Sequence, residues 1–410
     1  MRLAVFTSKY PARVSTFFER DMRALIEAGV EIDILPLLPL DARLWRYGLD
    51  ILNERVLPRS RVHHLSLPAS LWRARPWRGA GTVMRAAAAI GASAVRYGPL
   101  PLLKSLYVLP KAWAWAAERA DQYDHILAYW GNYAGTSAYL FHRLIGRRIP
   151  LTLWLHAGTD LYRHQVYLPE KLRYADGIVT CCDFNRSYMI ERYGDAVPGL
   201  ADRIHVCYHG LDLAHFRFQP DDRPAARIVA VGRLAKHKGF DYLLRAVRLL
   251  RDRGRRVEVV LVGDGGEQQS LTALAAELGI ADAVRFTGWL SFADVQQAMA
   301  DATMLVHPSP GLGDGLPNVL REAMALGTPV IASDVAGIPE ALDRGRCGLL
   351  VPPGDVAALA DAVARLLDDP ELRRTFAARG RQRTEAEFDM WRNGARLADR
   401  LRHTTAAARC

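Results

Sequence analysis

At 410 residues, half of them apolar, the chain exceeds the size at which one hydrophobic core usually stops growing, so two domains are expected and a single small module is excluded. Its five cysteines, Cys181, Cys182, Cys207, Cys347 and Cys410, show no metal-ligand spacing, and a vicinal pair with an odd count is a poor disulfide framework. The formal net charge is +10, and one segment, Arg55 to Ala117, accounts for it with ten basic residues and no acidic one.

The N-terminus, Met1-Arg2-Leu3-Ala4-Val5-Phe6-Thr7, passes into strand-like residues with no room for the charged and apolar regions of a signal peptide. Reduced thiols in a cytoplasmic protein are the expectation. Strands are predicted near Leu3 to Phe6 and Glu31 to Leu35. In the basic segment that follows (Arg55, Arg59, Arg61, Arg73, Arg75, Arg78, Arg85, Arg96, Lys104, Lys111), Trp72, Trp77, Trp113 and Trp115 lie among Leu-rich stretches. Basic residues beside indole rings suit the anionic headgroup layer of a membrane. The same composition also fits a solvated basic face whose tryptophans are core. No apolar run approaches the roughly 20 residues needed to span a bilayer, and no stacking platform or recognition helix points to nucleic acid. A peripheral position at the inner face of a membrane follows as an expectation, with an anionic surface as partner and no nucleic acid.

Further strands are predicted near His125 to Tyr129, Leu151 to His156 and Gly177 to Thr180. Two prolines and adjacent acids in His215-Phe216-Arg217-Phe218-Gln219-Pro220-Asp221-Asp222-Arg223-Pro224 mark the interdomain linker. Beyond it the pattern sharpens. Arg227 to Val231 and Val257 to Val262 are β-branched runs separated by the helical periodicity of Tyr242 to Leu250, and Met304 to His307 and Pro329 to Ser333 follow as strands. Strand, helix, strand at these lengths predicts an α/β fold with parallel sheets covered on both faces.

Open α/β sheets bind ligands beyond the carboxyl ends of their strands, so the loops after strands are where chemistry is expected. After Val231 comes Gly232-Arg233-Leu234-Ala235-Lys236-His237-Lys238-Gly239, in which Arg233 as a planar fork and Lys238 as a point charge could reach one diphosphate. Gly263 and Gly265, in Gly263-Asp264-Gly265-Gly266, permit close backbone approach to a ligand or make a plain turn. Trp289 and Leu290 follow the next strand, where the indole fits either a nucleobase platform or ordinary core. The fullest loop runs from His307 through Gly311-Leu312-Gly313-Asp314-Gly315-Leu316-Pro317 into Asn318-Val319-Leu320-Arg321-Glu322-Ala323-Met324-Ala325-Leu326-Gly327-Thr328-Pro329. Pro317 suits the first position of a helix and Gly327 its C-terminal cap. Free N–H groups at such a helix start, with Gly313 and Gly315 ahead of it, suit a nucleotide diphosphate. The carboxylates of Asp314 and Glu322 can accept hydrogen bonds from sugar and ribose hydroxyls.

This run, with Gly327-Thr328-Pro329-Val330, Val231-Gly232-Arg233 to Lys238-Gly239, Val262-Gly263-Asp264-Gly265 and Ala336-Gly337-Ile338-Pro339-Glu340, closely resembles the signature of family 4 retaining glycosyltransferases. Tyr10-Pro11, Ser15-Thr16-Phe17, His156-Ala157-Gly158-Thr159-Asp160 and His209-Gly210-Leu211-Asp212 look like the exopolysaccharide, colanic-acid-type branch. The resemblance implies the GT-B fold, two Rossmann-like domains with parallel sheets facing across a cleft. Residues 1–215 would bind the acceptor, residues 216–387 the nucleotide sugar, and a return helix within 388–410 would complete the first domain.

Carried over residue by residue, the resemblance makes Arg233 and Lys238 the diphosphate clamps, Asp314 the contact to the donor sugar and Glu322 the holder of the ribose. Gly232, Gly263, Gly265, Trp289, Leu290, Gly313, Gly315, Leu316 and Pro317 would shape the donor site. His156 would lie beside the reacting sugar, with Asp160, Tyr10 and Ser15 on the acceptor side. Two departures stand out: Asp314 replaces the usual first glutamate, and Ser15 stands where this branch often has Glu. The implied reaction is metal-independent retaining transfer from a UDP- or GDP-sugar to a glycan or polyprenyl-diphosphate-linked acceptor in surface polysaccharide biosynthesis, with no cofactor. A nucleotide-sugar epimerase of the same architecture and a catalytically silent donor- or glycan-binding subunit are the alternatives.

Overall fold

The computed structural model describes residues 1–12, 16–41, 43, 51–74, 79–146, 149–158, 160–163, 166–220 and 226–408. It divides into two compact units, Met1–Gly210 with Met390–Cys410, and Leu211–Asp389.

The first unit carries a six-stranded, all-parallel sheet in the order β2-β1-β3-β4-β5-β6. Its strands are β1 (Arg2–Thr7), β2 (Glu31–Pro36), β3 (His125–Tyr129), β4 (Leu151–Leu155), β5 (Gly177–Thr180) and β6 (Ile204–Val206). Side chains alternate across a strand, and here both faces are buried. Leu3 and Val5 of β1 enter one core with Phe18, Met22 and Leu397, while Ala4 and Phe6 enter another with Trp115 and Phe141. Trp115 is 2% exposed and meets Phe6 edge-on at 5.7 Å. Truncating a core tryptophan of this kind to Ala costs about 3–5 kcal/mol.

The C-terminal helix Met390–Ala407 belongs to this unit and packs on helix Thr16–Glu27. The approach is close at Gly394, where a Cβ would lie 2.3 Å from the Cβ of Ala24. Leu397 and Leu401 complete the core beneath, and Thr405 caps the buried His125, Oγ1 to Nδ1 2.8 Å.

In the second unit the strands are β7 (Arg227–Val231), β8 (Glu258–Val262), β9 (Val284–Gly288), β10 (Met304–His307), β11 (Val330–Ser333) and β12 (Leu349–Val351). They form a second all-parallel sheet in the order β12-β11-β10-β7-β8-β9. The predicted parallel α/β architecture is therefore present in both halves. The short strands β6 and β12 carry too few residues for a periodic signal. The boundary falls at Gly210–Leu211, ahead of the stretch expected to be the linker, because Leu211 is already tied to the second unit: its N–H donates to Phe388 O at 2.7 Å. Asp221, Asp222, Arg223 and Pro224 of that stretch lie outside the described residues.

In each sheet the chain starts in the middle, lays strands to one side, then returns to the other. The reversal lies between β1 and β3 in the first sheet and between β7 and β10 in the second. These are the switch points at which open α/β sheets take ligands.

Candidate active site

In the second unit, the loops after β7 and β10 flank the switch point and are pressed together. Gly239 has φ +69°, and a Cβ there would sit 2.0 Å from Pro308 O. Ser309 Oγ donates to His237 O at 2.9 Å. This contact brings Lys238 from one loop to Asp314 from the other. Lys238 Nζ donates to both carboxylate oxygens, at 2.8 and 2.7 Å, and His307 Nε2 lies 3.2 Å from Oδ2. Burial alone would raise the Asp314 carboxyl, but Lys238 and His307 outweigh it and hold it well below the usual carboxylate range. Burial pushes His307 down, so the imidazole is neutral and gives its Nε2–H to the carboxylate.

Two ammonium N–H groups of Lys238 are thus spent on Asp314, and the pair is neutral as a unit. Arg233 differs. It is exposed and makes no hydrogen bond or ion pair among the described residues. The two residues expected to clamp a diphosphate are thus arranged asymmetrically: one unpaired guanidinium, and one ammonium anchored by a carboxylate.

Around this pair the glycines fulfil a close-approach role. A Cβ on Gly263 (φ +133°) would lie 2.0 Å from Gly232 O. Gly232 N donates to Val262 O at 2.9 Å, so the loops after β7 and β8 run side by side. A Cβ on Gly265 would clash with Leu234 O at 2.3 Å, and one on Gly313 with His237 at 2.9 Å. Gly315 O accepts from Gly337 N at 2.9 Å, which fixes the Asp314 loop against the loop after β11. The helix runs Asn318–Leu326, with Pro317 at its N-cap rather than at the first helical position expected, and Gly327 at its C-cap with φ +78°. Leu316 and Pro317 are buried at its start, and Glu322 is 9% exposed within it. Trp289 is 40% exposed immediately after β9, with Leu290 half-buried beside it.

In the first unit, His156 follows β4 and is 8% exposed, and its Nε2 has no hydrogen-bond partner among the described residues. Asp160 holds the ring from behind: its Oδ2 accepts from His156 N at 2.7 Å and lies 3.4 Å from His156 Nδ1. Its Oδ1 accepts from Gly131 N and, at 3.2 Å, from Asn132 N. Asp160 is 3% exposed and fully engaged. Its carboxylate positions the His156 ring and the loop after β3. Tyr10 is likewise no surface group, being 1% exposed and packed on Phe18 at 5.4 Å. Ser15 lies outside the described residues.

Spacing gave no hint of what lies beneath His156. His209 stacks parallel to it at 5.0 Å and 0°, with Trp154 on the same stack and Tyr129 4.6 Å from the His156 ring. His209 Nδ1 and Tyr129 OH both donate to Asp21 Oδ2 at 2.6 Å. Burial would lower His209, but Asp21 outweighs it and raises the imidazolium to about 9. Nothing in the sequence around Asp21, mid-helix in Thr16–Glu27, distinguishes it from a solvated helix acid.

Two parallel α/β units, with charge gathered at a switch point of one and imidazoles at the strand ends of the other, fit an α/β enzyme whose chemistry sits at its strand ends. The comparisons make it specific. The family described as glycosyl transferases group 1 matches residues 225–369. The chain is 30% identical to alpha-D-kanosaminyltransferase of Streptomyces kanamyceticus, over 63% of this chain and 72% of that protein. It is 26% identical to the amylovoran biosynthesis glycosyltransferase AmsK of Erwinia amylovora, over 98% of this chain and 100% of that one. Among solved structures, Anabaena Alr3699/HepE in complex with UDP-glucose shares the fold, with a TM-score of 0.70 at 20% identity, covering 98% of this chain and 100% of that one. The chain belongs to the group 1 glycosyltransferases, and its fold is GT-B.

Proposed function

We propose that the protein transfers a sugar, with retention and without a metal ion, from a UDP- or GDP-sugar to a glycan or lipid-linked acceptor in surface polysaccharide biosynthesis. The observation that carries this is the β7/β10 switch point, where Lys238, Asp314 and His307 form one bonded group and the loop that supplies Lys238 also carries the unpaired Arg233. Breaking the bond from the sugar C1 to phosphate leaves an oxocarbenium-like sugar and a more negative diphosphate. Fixed cations aimed at the diphosphate stabilise that transition state.

Arg233 meets the diphosphate directly, and Lys238 adds its remaining N–H. Asp314, kept ionised, accepts from donor-sugar hydroxyls. Glu322 accepts from the ribose, and Trp289 with Leu290 backs the base. The acceptor hydroxyl attacks C1 from the leaving-group face and passes its proton to a phosphate oxygen, so no second catalytic carboxylate is required. His156, at the end of β4, is the group we assign to the reacting sugar. No Asp-x-Asp run is present to carry a nucleotide-bound metal. The relatives' polysaccharide and UDP-glucose connections support the substrate class.

The basic segment gives the enzyme its place. Among the described residues no helix is long and apolar enough to cross a membrane. Trp72 is 85% exposed, Trp115 is core, Trp113 is half-buried, and Trp77 lies outside the described residues. An exposed indole in a segment that also exposes Arg85, Arg96 and Lys104 supports peripheral contact with an anionic membrane face on the cytoplasmic side. A screen of UDP-, GDP- and ADP-sugars for slow hydrolysis, with and without EDTA, tests the donor and the metal together. Loss of all turnover in EDTA that metal restores contradicts the mechanism.

A further inference from the structure

The first unit has its own switch point, between β1 and β3, and none of the described residues lining the cavity there is a carboxylate. The cavity, of about 630 Å³, is bounded by Ser8 after β1, Leu37 and Leu38 after β2, and Asn132 after β3. That size is in the ordinary range for a small-molecule site. Ser8 Oγ and Asn132 Oδ1 are 3.5 Å apart at its floor. The opposite wall is the start of the helix Pro99–Arg119, which supplies Leu100, Lys104 and Tyr107. That wall is pinned in place by the buried Lys111, whose Nζ donates to Leu37 O.

The lining is aliphatic and aromatic with one cation at the mouth. Lys104 is exposed, sits 5.7 Å from the Tyr133 ring centroid and has no acidic partner among the described residues. Arg96 is also exposed nearby in sequence, and no acid occurs from Arg55 to Ala117. The apolar character continues outward. Of fourteen exposed large hydrophobic residues among the described residues, ten fall between Leu38 and Leu106, and three of them, Leu38, Tyr97 and Leu100, line the cavity. Leu100 belongs to both, lining the cavity and remaining 60% exposed.

We propose that this cavity is the subsite for the lipid end of an amphiphilic acceptor, with the hydrocarbon against Leu38, Tyr97, Leu100 and Tyr107 and the phosphate on Lys104. A free sugar would leave the apolar walls unused, and a neutral lipid would leave the lysine uncompensated. A lipid phosphate satisfies both, and the exposed leucines give its chain an apolar path between a bilayer and the cavity. The proposal rests on the reading of the first unit as the acceptor-binding one.

Titration of the full chain with farnesyl diphosphate, farnesol and inorganic pyrophosphate, followed by tryptophan fluorescence, tests it. Farnesyl diphosphate should bind most tightly of the three. Lys104→Ala should weaken farnesyl diphosphate roughly tenfold and leave farnesol unchanged. Leu38→Trp, which fills the cavity from its rim, should weaken both, and Leu100→Ser serves if that variant does not fold. Pyrophosphate binding as tightly as farnesyl diphosphate, or farnesyl diphosphate affinity indifferent to these substitutions, overturns the proposal. Hydrolysis of a nucleotide sugar in the same samples separates the failures: turnover without prenyl binding removes this subsite alone, and absence of turnover removes the donor assignment.

Discussion

The two switch points are built from opposite materials. In the Leu211–Asp389 unit the loops after β7 and β10 bring Lys238 and Asp314 together, and the loop after β7 also carries the exposed Arg233. In the first unit the strand ends hold a buried stack of His156, His209 and Trp154 over Asp21, next to an apolar cavity. A diphosphate demands fixed charge, while a large, variable acceptor demands shape and apolar area. The contrast suits one unit to a common donor chemistry and the other to a particular acceptor.

The sharpest way to break that contrast is to remove the charges of the second unit. Arg233→Ala should lower turnover at least about a hundredfold, the order for losing one transition-state charge partner, with little change in thermal midpoint because the side chain is exposed and unpaired. Lys238→Ala should lower turnover as much and also cost about 1–3 kcal/mol of stability, since it strips the partner from Asp314. Turnover assays beside thermal melts check both. Equal midpoints for the two variants would show that the Lys238–Asp314 pair carries no structural weight.

A smaller effect sharpens the division of roles within the donor site. Asp314→Asn should depress turnover more than it weakens a bare nucleotide diphosphate, whereas Glu322→Gln should weaken the nucleotide itself through the ribose. Calorimetric titration of both variants with UDP and GDP separates them, and equal losses of affinity would show the roles wrongly assigned.

The buried stack of the first unit should announce itself through pH. His209 is raised from the ordinary imidazole value of 6.5 to about 9 by Asp21. Its contribution is fully present below pH 6.5 and is lost as pH rises through 9. Lys111 and Lys171 are lowered by burial to about 8 and about 7, and titrate in the opposite sense. The readout is therefore the gap in midpoint between wild type and Asp21→Asn. That gap should be widest below pH 6.5 and close by pH 9.5; a gap constant with pH would mean that Asp21 acts only as a neutral hydrogen-bond acceptor.

The candidate donor loops were largely legible in the sequence because their motifs are local. Gly232 to Gly239 and Gly313 to Gly327 each fold on their own strand, and the glycines record where backbones touch. The Lys238–Asp314 bond was not legible, because it joins residues from loops that only the sheet order brings together. The same holds for Asp21 with His209, which belong to a helix and a distant strand end. The burial of Tyr10 was not legible, because a polar-looking residue after a strand carries no mark of being turned into the core. That the carboxylate of Asp160 faces backbone N–H groups was not legible either, because its partners come from the loop after β3 as well as its own.

The weakest expected effect concerns the membrane. Each basic residue near an anionic bilayer is worth about 1 kcal/mol, screened over about 8 Å at physiological ionic strength. Vesicle co-sedimentation should therefore show binding to anionic but not neutral lipid, weakened by salt and by Arg73, Arg75 and Arg78 to Ser. Trp72→Ser should weaken it further, and equal sedimentation with both lipids would leave the segment a solvated basic face.

The most direct test of the donor assignment is the thermal midpoint of the full chain titrated with UDP and with GDP, in wild type and Arg233→Ala. One of the two nucleotides should raise the wild-type midpoint in a saturable manner, with the variant requiring at least about tenfold more for the same rise. No response to either nucleotide, or identical responses in wild type and variant, would contradict the assignment of the β7/β10 loops as the diphosphate site.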